Sequence, residues 1–304
     1  MAQSGAFTSS TTIDMLDPHG AYKRHVCMAA TLGDWGKASS YDETQPNWVS
    51  TTLTRDGDTA LHIAVSMEHI GFVEKLVERM SMQDLEIMDA DGNTAFSMAA
   101  ISGNVKLATI LLGKNSGLLW LRGHKGMLPI QLAFSAGQPH MVNFLFEKTQ
   151  SDDMDTHLSY QDIVNLFFLS LTYNNFTVAS MLLKRYPEFA GVKNEKGLTA
   201  FEVLAQQTFD KDAPDYQHIL NSLFKHMVEE DDFPNSERMP KAMFDAAKSG
   251  NLLILEFILK HNPKLLMKKK WRGENLTSPC YFISASICVP TNIEQGCIQE
   301  CYCA

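Results

Sequence analysis

Cysteine is almost absent from the body of this chain. Cys27 stands alone ahead of residue 280, and the other five, Cys280, Cys288, Cys297, Cys301 and Cys303, crowd the last 25 of 304 positions. A disulfide framework needs cysteines spread through a small domain, so the body is built without covalent cross-links and suits a reducing compartment. Positive charge is also in short supply: 26 Lys and Arg face 35 Asp and Glu, a formal charge of −9. That is the wrong sign for a general phosphate-binding surface, and nucleic acid is not an expected partner. The one basic run, Lys268, Lys269, Lys270 and Arg272 around Trp271, reads as a solvated helix C-terminus, where positive charge is favoured. No apolar run reaches the roughly 18–20 residues of a membrane helix. The opening residues, MAQSGAFTSSTTIDML, lack the basic start and apolar stretch of a secretory signal. A cytoplasmic chain with no direct membrane span is expected.

Residue patterns that carry chemistry are missing as well. Gly113-Lys114-Asn115-Ser116-Gly117 has a Gly and a Lys but neither the upstream glycine nor the strand of a phosphate loop, and reads as a polar loop. There is no Gly-x-Ser-x-Gly elbow, His-Glu-x-x-His helix or kinase signature. His25 lies two residues before Cys27, short of the three or four ligands a zinc site requires; His69, His124, His140 and His226 fall at turns or helix edges. The acid pairs Asp152-Asp153 and Asp231-Asp232 read as solvated charges, since nothing nearby would raise one pKa above the other. We therefore expect no enzyme, no catalytic residue, no metal and no cofactor.

What is there is a repeat. Asp56-Gly57-Asp58-Thr59-Ala60-Leu61-His62-Ile63-Ala64 is followed by Asp91-Gly92-Asn93-Thr94-Ala95-Phe96-Ser97-Met98-Ala99. Lys125-Gly126-Met127-Leu128-Pro129-Ile130-Gln131-Leu132-Ala133 and Lys196-Gly197-Leu198-Thr199-Ala200-Phe201-Glu202-Val203-Leu204 complete the set. From glycine to glycine the steps are 35, 34 and 71 residues, the last leaving room for one divergent unit. Glycine supplies the positive φ of a tight turn, Thr can cap the helix behind it, and a small Ala lets helices lie close. Each signature precedes a second apolar helix pattern, such as Phe72, Val73, Leu76 and Val77, across a polar turn such as Ser102-Gly103-Asn104. No such unit can bury its apolar face alone, so neighbours must stack. Met28, Met98 and Met181 fall at helix-core positions.

The block resembles the ankyrin signature T-P-L-H-x-A at about its period of 33 residues, with Ala60 in place of Pro and Leu61-His62-Ile63-Ala64 intact. The resemblance implies an all-α fold, an ankyrin-repeat solenoid of stacked helix-turn-helix units, and gives His62 a structural role against neighbouring turn backbone. The expected organisation is an N-terminus without structure at 1–19; a cap and repeats at 20–148; an inserted loop at 149–158; divergent repeats at 159–205; an acidic insertion or linker at 206–240; a terminal ankyrin-like helix pair at 241–275; and a cysteine-containing non-repeat tail at 276–304. Cys301-Tyr302-Cys303-Ala304 formally meets a C-a-a-X prenylation box, and Asn175-Phe176-Thr177 and Asn275-Leu276-Thr277 are sequons that a cytosolic chain leaves unused.

Several segments are similar to one plant family, in which an ankyrin array precedes a C-terminal PGG-type membrane region: Gly33-Asp34-Trp35, Thr59 to Val65 with Phe72 to Val77, Gly92 to Phe96, and Leu255 to Leu259. That resemblance implies a plasma-membrane-associated protein in stress, defence and salt signalling, its array on the cytosolic face and binding proteins, with a membrane protein as one candidate partner. The chain departs from the pattern after Asn275: no Pro-Gly-Gly segment or membrane helices follow, and residues 276–304 read as an alternative or mis-predicted exon end. The expected function is a non-enzymatic protein–protein interaction module, regulatory or scaffolding in plant stress or defence signalling. The alternative is a truncated form of a membrane-tethered signalling or transport-related protein. The candidate contacts are at the turn tips: Arg55, Asp56, Asp58, Asp89, Asp91, Asn93, His124 and Lys125.

Overall fold

A computed structural model describes residues 20–151, 154–208, 215–230 and 238–261. Among these residues there are helices and loops but no strand, apart from isolated bridges between Met88 and Thr94 and between Lys193 and Thr199. The chain divides into two compact units, one ending at Tyr160 and the other starting at Gln161.

In the first unit the helices come in pairs: α1 (Gly20–Leu32) with the short α2 (Trp35–Ser39), α3 (Ala60–Ser66) with α4 (Ile70–Arg79), α5 (Ala95–Ser102) with α6 (Val105–Lys114), and α7 (Pro129–Ser135) with α8 (Pro139–Ser151), trailed by α9 (Met154–His157). The first helices pack in series, α1 on α3, α3 on α5 and α5 on α7, and α4 packs on α6 and α6 on α8 behind them. Small residues allow this. Ala29, Ala64, Ala99 and Ala133 are all essentially buried, at the same register in each first helix, and larger side chains there would hold the axes apart. Leu61, Leu76, Phe96, Leu107 and Phe134 fill the space between. Pro129 opens α7, where its missing N–H leaves no bond unmade.

Each pair turns on one left-handed residue, at Gly33, Glu68, Gly103 and Gly137, with φ of 69°, 58°, 77° and 69°. The next residue begins the second helix: Asn104 accepts from the Leu107 N–H through Oδ1 at 3.1 Å. At Gly33 the turn also needs the missing Cβ for space, which would lie 2.9 Å from Nδ1 of His69. That imidazole donates from Nε2 to the Thr31 carbonyl at 2.8 Å, tying adjacent turns together. Glu68 holds the same conformation without being a glycine, at a cost of about 1–2 kcal/mol for an L-residue. Glu68→Gly is therefore expected to stabilise the first unit by about 0.5–1 kcal/mol, after the greater freedom of glycine in the unfolded chain is subtracted; a urea midpoint that falls instead would show that the Glu68 side chain outweighs the strain.

The second unit holds α10 (Tyr160–Thr172) and α11 (Phe176–Arg185), α12 (Ala200–Ala205) and α13 (Tyr216–Glu230), and α14 (Arg238–Ser249) and α15 (Leu252–His261). Its turns repeat the device with Asn174 at φ 57° and Gly250 at φ 73°. Asn175 caps α11 through Val178. Asn251 caps α15 through Ile254 and donates from Nδ2 to the carbonyls of Leu204 and Gln207 at 3.0 and 2.6 Å.

Three expectations need correction. The stretch 149–158 is not an open loop where it is described: α8 runs to Ser151, α9 follows, and Thr149, Met154 and Leu158 are buried. Most of the described part of 206–240 is α13, the second helix of the repeat that α12 begins, with Tyr216, Ile219, Leu220 and Leu223 buried. Of the three methionines assigned to the core, Met28 is 61% and Met181 45% exposed and Met98 is half-buried, because each sits on the solvent side of a helix whose other side carries the alanines or leucines. The N-terminus, the tail at 276–304, the prenylation box and the basic run fall outside the described residues.

Candidate protein-binding surface

The turns that precede the first helices are built by their own polar side chains. In the first, the Leu53 N–H reaches the Asp58 carbonyl at 2.7 Å, and Thr54 and Asp58 bond reciprocally, Oγ1 to Oδ2 at 2.8 Å and the Asp58 N–H to Oγ1 at 3.0 Å. In the second, Asp89 Oδ1 accepts from the N–H groups of Asp91 and Asn93 at 2.9 and 2.7 Å, and the Asp89 N–H donates to the Asn93 carbonyl. Asn194 does the same for Lys196 and Leu198 in the second unit. A carboxylate or amide that accepts two N–H groups two residues apart braces a turn from within.

These turns also touch one another. The Ala90 N–H donates to the Asp56 carbonyl at 2.7 Å, and His124 Nδ1 donates to the Asp91 carbonyl at 3.0 Å. All eight turn-tip candidates therefore stand on three neighbouring turns in one row. Their exposure divides them: Arg55, Asp56, Asp91 and Lys125 are exposed, whereas Asp58, Asp89, Asn93 and His124 are half-buried and bonded as just described. The row carries four carboxylates against Arg55, Lys125 and Arg122, whose guanidinium donates to the Gly126 carbonyl at 3.1 Å; of these carboxylates only Asp56 and Asp91 are exposed.

Behind the row, the fourth residue of each signature block, counted from its helix cap, bonds to its own cap, and in the His62 and Glu202 blocks also to the next repeat. His62 is 1% exposed. Its Nδ1 accepts from the Thr59 N–H at 3.3 Å and Oγ1–H at 2.9 Å, and its Nε2 faces the Asn93 carbonyl at 3.1 Å. A carbonyl can only accept, so the proton sits on Nε2 and Nδ1 is bare. Gln131 keeps the first bond, accepting from the Leu128 N–H at 2.8 Å, and Ser97 sits under Thr94. Glu202 accepts from the Thr199 N–H at 2.9 Å and from Lys241 Nζ, on the next helix pair, at 3.0 Å. Burial works to raise the Glu202 pKa, but these donors outweigh it and hold the carboxyl below its ordinary range.

Burial also pushes the His62 pKa down, the Asn93 carbonyl and more distant Asp58 and Asp89 opposing it only in part. The folded value thus lies below the unfolded one of about 6.5. Above that pH both states are neutral at this residue; below it the unfolded chain takes the proton first, and stability falls as pH drops toward the folded value. Between pH 6.5 and 5 the wild-type chain is expected to lose up to about 1 kcal/mol per pH unit more than His62→Gln, glutamine being the residue that already fills this position in the third block. Parallel stability–pH curves for the two chains would remove His62 as the cause.

Cys27 is buried, and burial pushes its thiol pKa up; His25 pairs with the Tyr41 hydroxyl at 2.6 Å rather than with Cys27. Among the described residues no three His, Cys, Asp or Glu side chains stand close enough to hold a metal ion, and no helix is long and apolar enough to cross a membrane. Lys114 and the residues after it end α6, with Asn115 turned inward to donate to the Met82 carbonyl and to Glu86 Oε1, so the segment locks two repeats together.

Two exposed apolar features escape the sequence reading. Met28 and Leu32, 61% and 62% exposed, lie on α1, and Met67, 48% exposed, ends α3. An exposed methionine carries no distinguishing sign in a helical pattern, since apolar residues are common on both sides of a protein surface.

Residues 37–118 match the family model for ankyrin repeats, in three copies. No curated protein matches the chain. Among solved structures, a chain in the crystal structure of the yeast ribosomal protein Rps3 in complex with its chaperone Yar1 is similar at 22% identity and a TM-score of 0.39, over 42% of this chain and 93% of that one. The protein carries ankyrin repeats, and its fold is an all-α repeat solenoid.

Proposed function

We propose that this chain is a non-enzymatic protein-binding module acting on the cytosolic side of the cell, in a regulatory or scaffolding role in plant stress or defence signalling. Ankyrin repeats indicate protein–protein interaction. The observation that carries the surface assignment is the row of turn tips: three turns bonded to one another, with Arg55, Asp56, Asp91 and Lys125 exposed along it. A rigid row of charges on short turns presents a large, preorganised contact at small entropic cost. The signalling setting is supported by the likeness of the repeat segments to the plant array family.

The test is proximity labelling in plant cells with the wild-type chain and with Asp56→Asn/Asp91→Asn/Lys125→Asn, accompanied by membrane fractionation. These exposed side chains can change within about 0.5 kcal/mol of wild-type stability, so lost labelling of specific neighbours reads as lost binding. Identical labelled sets would reject the row as the contact, and a membrane fraction in which the wild-type chain is sealed away from added protease inside vesicles would reject the cytosolic setting.

A further inference from the structure

We infer that Asp91 is a site of spontaneous isoaspartate formation in the folded chain, and that Asp56, in the same dipeptide one turn earlier, is held back from it by the neighbouring turn. Asp-Gly occurs twice in the sequence, at 56–57 and 91–92, and Asn-Gly does not occur. The reaction needs the nitrogen of the next residue to reach the aspartate side chain, and glycine alone brings no Cβ into that path. These two are also the acids of the row with uncommitted carboxylates. Asp58 pairs with Thr54, and Asp89 accepts from the N–H groups of Asp91 and Asn93. Asp56 and Asp91 are exposed, and their carboxylates bond to no other described residue.

The Gly92 nitrogen loses its proton and bonds to Cγ of Asp91, and the carboxyl O–H leaves with that proton as water, closing a five-membered succinimide. Water then adds to one of the two imide carbonyls and breaks its C–N bond. Opening at the α-carbonyl leaves the main chain running through Cβ and Cγ, one atom longer, with the α-carboxylate released. The water lost is regained and the charge is unchanged.

Ring closure requires the Asp–Gly peptide to turn, and the two peptides differ in what resists. Within their own turns they are held alike, the Gly57 N–H by the Thr54 carbonyl at 3.4 Å and the Gly92 N–H by the Asp89 carbonyl at 3.1 Å. The Asp89 carboxylate grips the peptides on either side of Asp91–Gly92 and not that peptide itself. The neighbouring turn decides. At the first tip the Ala90 N–H holds the Asp56 carbonyl at 2.7 Å, and the backbone of Ala90 and Asp89 stands 2.8 and 3.1 Å from the place of a Gly57 Cβ. At the second tip the Asp91 carbonyl is held by a side chain, His124 Nδ1 at 3.0 Å, and the nearest backbone to the same place at Gly92, that of Gly123 and His124, is 4.0 Å away. An imidazole swings with the peptide and the clearance admits the additional main-chain atom, whereas the first tip yields only if a whole packed turn moves. That outweighs the somewhat shorter bond at Gly92.

The experiment is ageing of the full-length chain for some weeks at physiological temperature, in native buffer and in urea, followed by trypsin and by electron-transfer fragmentation, which distinguishes isoaspartate by cleavage of its Cα–Cβ bond. Trypsin leaves the two sites in separate peptides, 56–75 and 80–106. In native buffer isoaspartate at 91 should exceed that at 56 by about fivefold or more, the factor carried by one ordinary hydrogen bond, and in urea the two should be nearly equal. His124→Ala should speed conversion at 91 by about the same factor and leave 56 unchanged. The comparison of native and unfolded wild type stands without that variant. Equal conversion of the two sites in native buffer would overturn the inference, because Ala90 then does not clamp Asp56. The same excess at 91 in both conditions would overturn it too, the preference then belonging to the local sequence. So would a native chain that converts at neither site while the urea sample converts at both, since the fold then protects Asp91 as well.

Discussion

Trp48→Ala is expected to lower the stability of the first unit by about 3–5 kcal/mol, the range for emptying a fully buried aromatic site. Trp48 is 1% exposed in a short turn of helix, Pro46–Val49, that leads toward the first signature block. Its ring lies tilted against Trp35 at 5.9 Å, Trp35 meets Phe72 edge-on at 5.3 Å, and the Arg79 guanidinium covers Trp35 at 4.8 Å. The indole N–H donates to Asp42 Oδ1 at 2.8 Å, and the other oxygen of the same carboxylate pairs with Arg79. One truncation thus opens a cavity and loosens the ion pair that holds the cation over the neighbouring ring. Trp48→Phe keeps most of the volume and loses the donor, and should cost about 1–2 kcal/mol. Repeats touch only their neighbours, so the damage is expected to stay near its origin. Hydrogen exchange should quicken in α1 to α4 of Trp48→Ala well before α7 and α8; equal quickening throughout would mean that the first unit opens only as a whole.

Gly57→Ala should cost about 2–4 kcal/mol, against about 1–2 kcal/mol for Gly92→Ala at the same place in the next block. Both glycines are left-handed, with φ of 87° and 82°, so both substitutions meet the same conformational penalty. They differ in what a methyl group would strike. At Gly57 it falls 2.8 Å from the Ala90 nitrogen and 3.1 Å from the Asp89 backbone, whereas at Gly92 the nearest atom is 4.0 Å away. Backbone cannot swing aside as a side-chain tip can, and the Ala90 N–H is the donor that joins this turn to Asp56. Loss of protection at the Ala90 amide in Gly57→Ala, with the amide unaffected in Gly92→Ala, would locate the extra cost at that bond. Equal destabilisation of the two would assign everything to the left-handed angle.

The repeats were legible in the sequence because three physical needs coincide within nine residues: a glycine for the turn, a threonine for the cap and a small residue for close packing. Turns held by Gly33, Gly103 and Gly137 were legible on the same ground. Glu68 was not, since a glutamate at positive φ leaves no mark in the residue type, and Asn174 leaves only the weak mark of an asparagine, which visits that region more readily than most L-residues. The second helix of the Thr199 block was hidden by the acidic run from Glu229 to Asp232, although Tyr216, Ile219, Leu220 and Leu223 stand at the spacing of one helical face. Trp48 lies in a polar stretch with no periodic neighbours, and only its packing shows what it does. On the surface, the tips could be found from their glycines, but the inward bonds of Asp58, Asp89 and Asn93 could not. Met28, Met98 and Met181 were misread as core by treating an apolar residue on a helix as a buried one.

His62, Ser97, Gln131 and Glu202 occupy one place in four blocks; Ser97 and Gln131 bond within their own block, while His62 and Glu202 make different demands on the next repeat. His62 needs a carbonyl 31 residues downstream, at Asn93; Glu202 needs a cation 39 residues downstream, at Lys241. A block with a glutamate at this place cannot be succeeded by one that brings only a carbonyl, because a nearly buried carboxylate without its counterion is strongly unfavourable. The blocks share a backbone plan, yet at these two joints they cannot be exchanged: the choice of neighbour is written into the side chains.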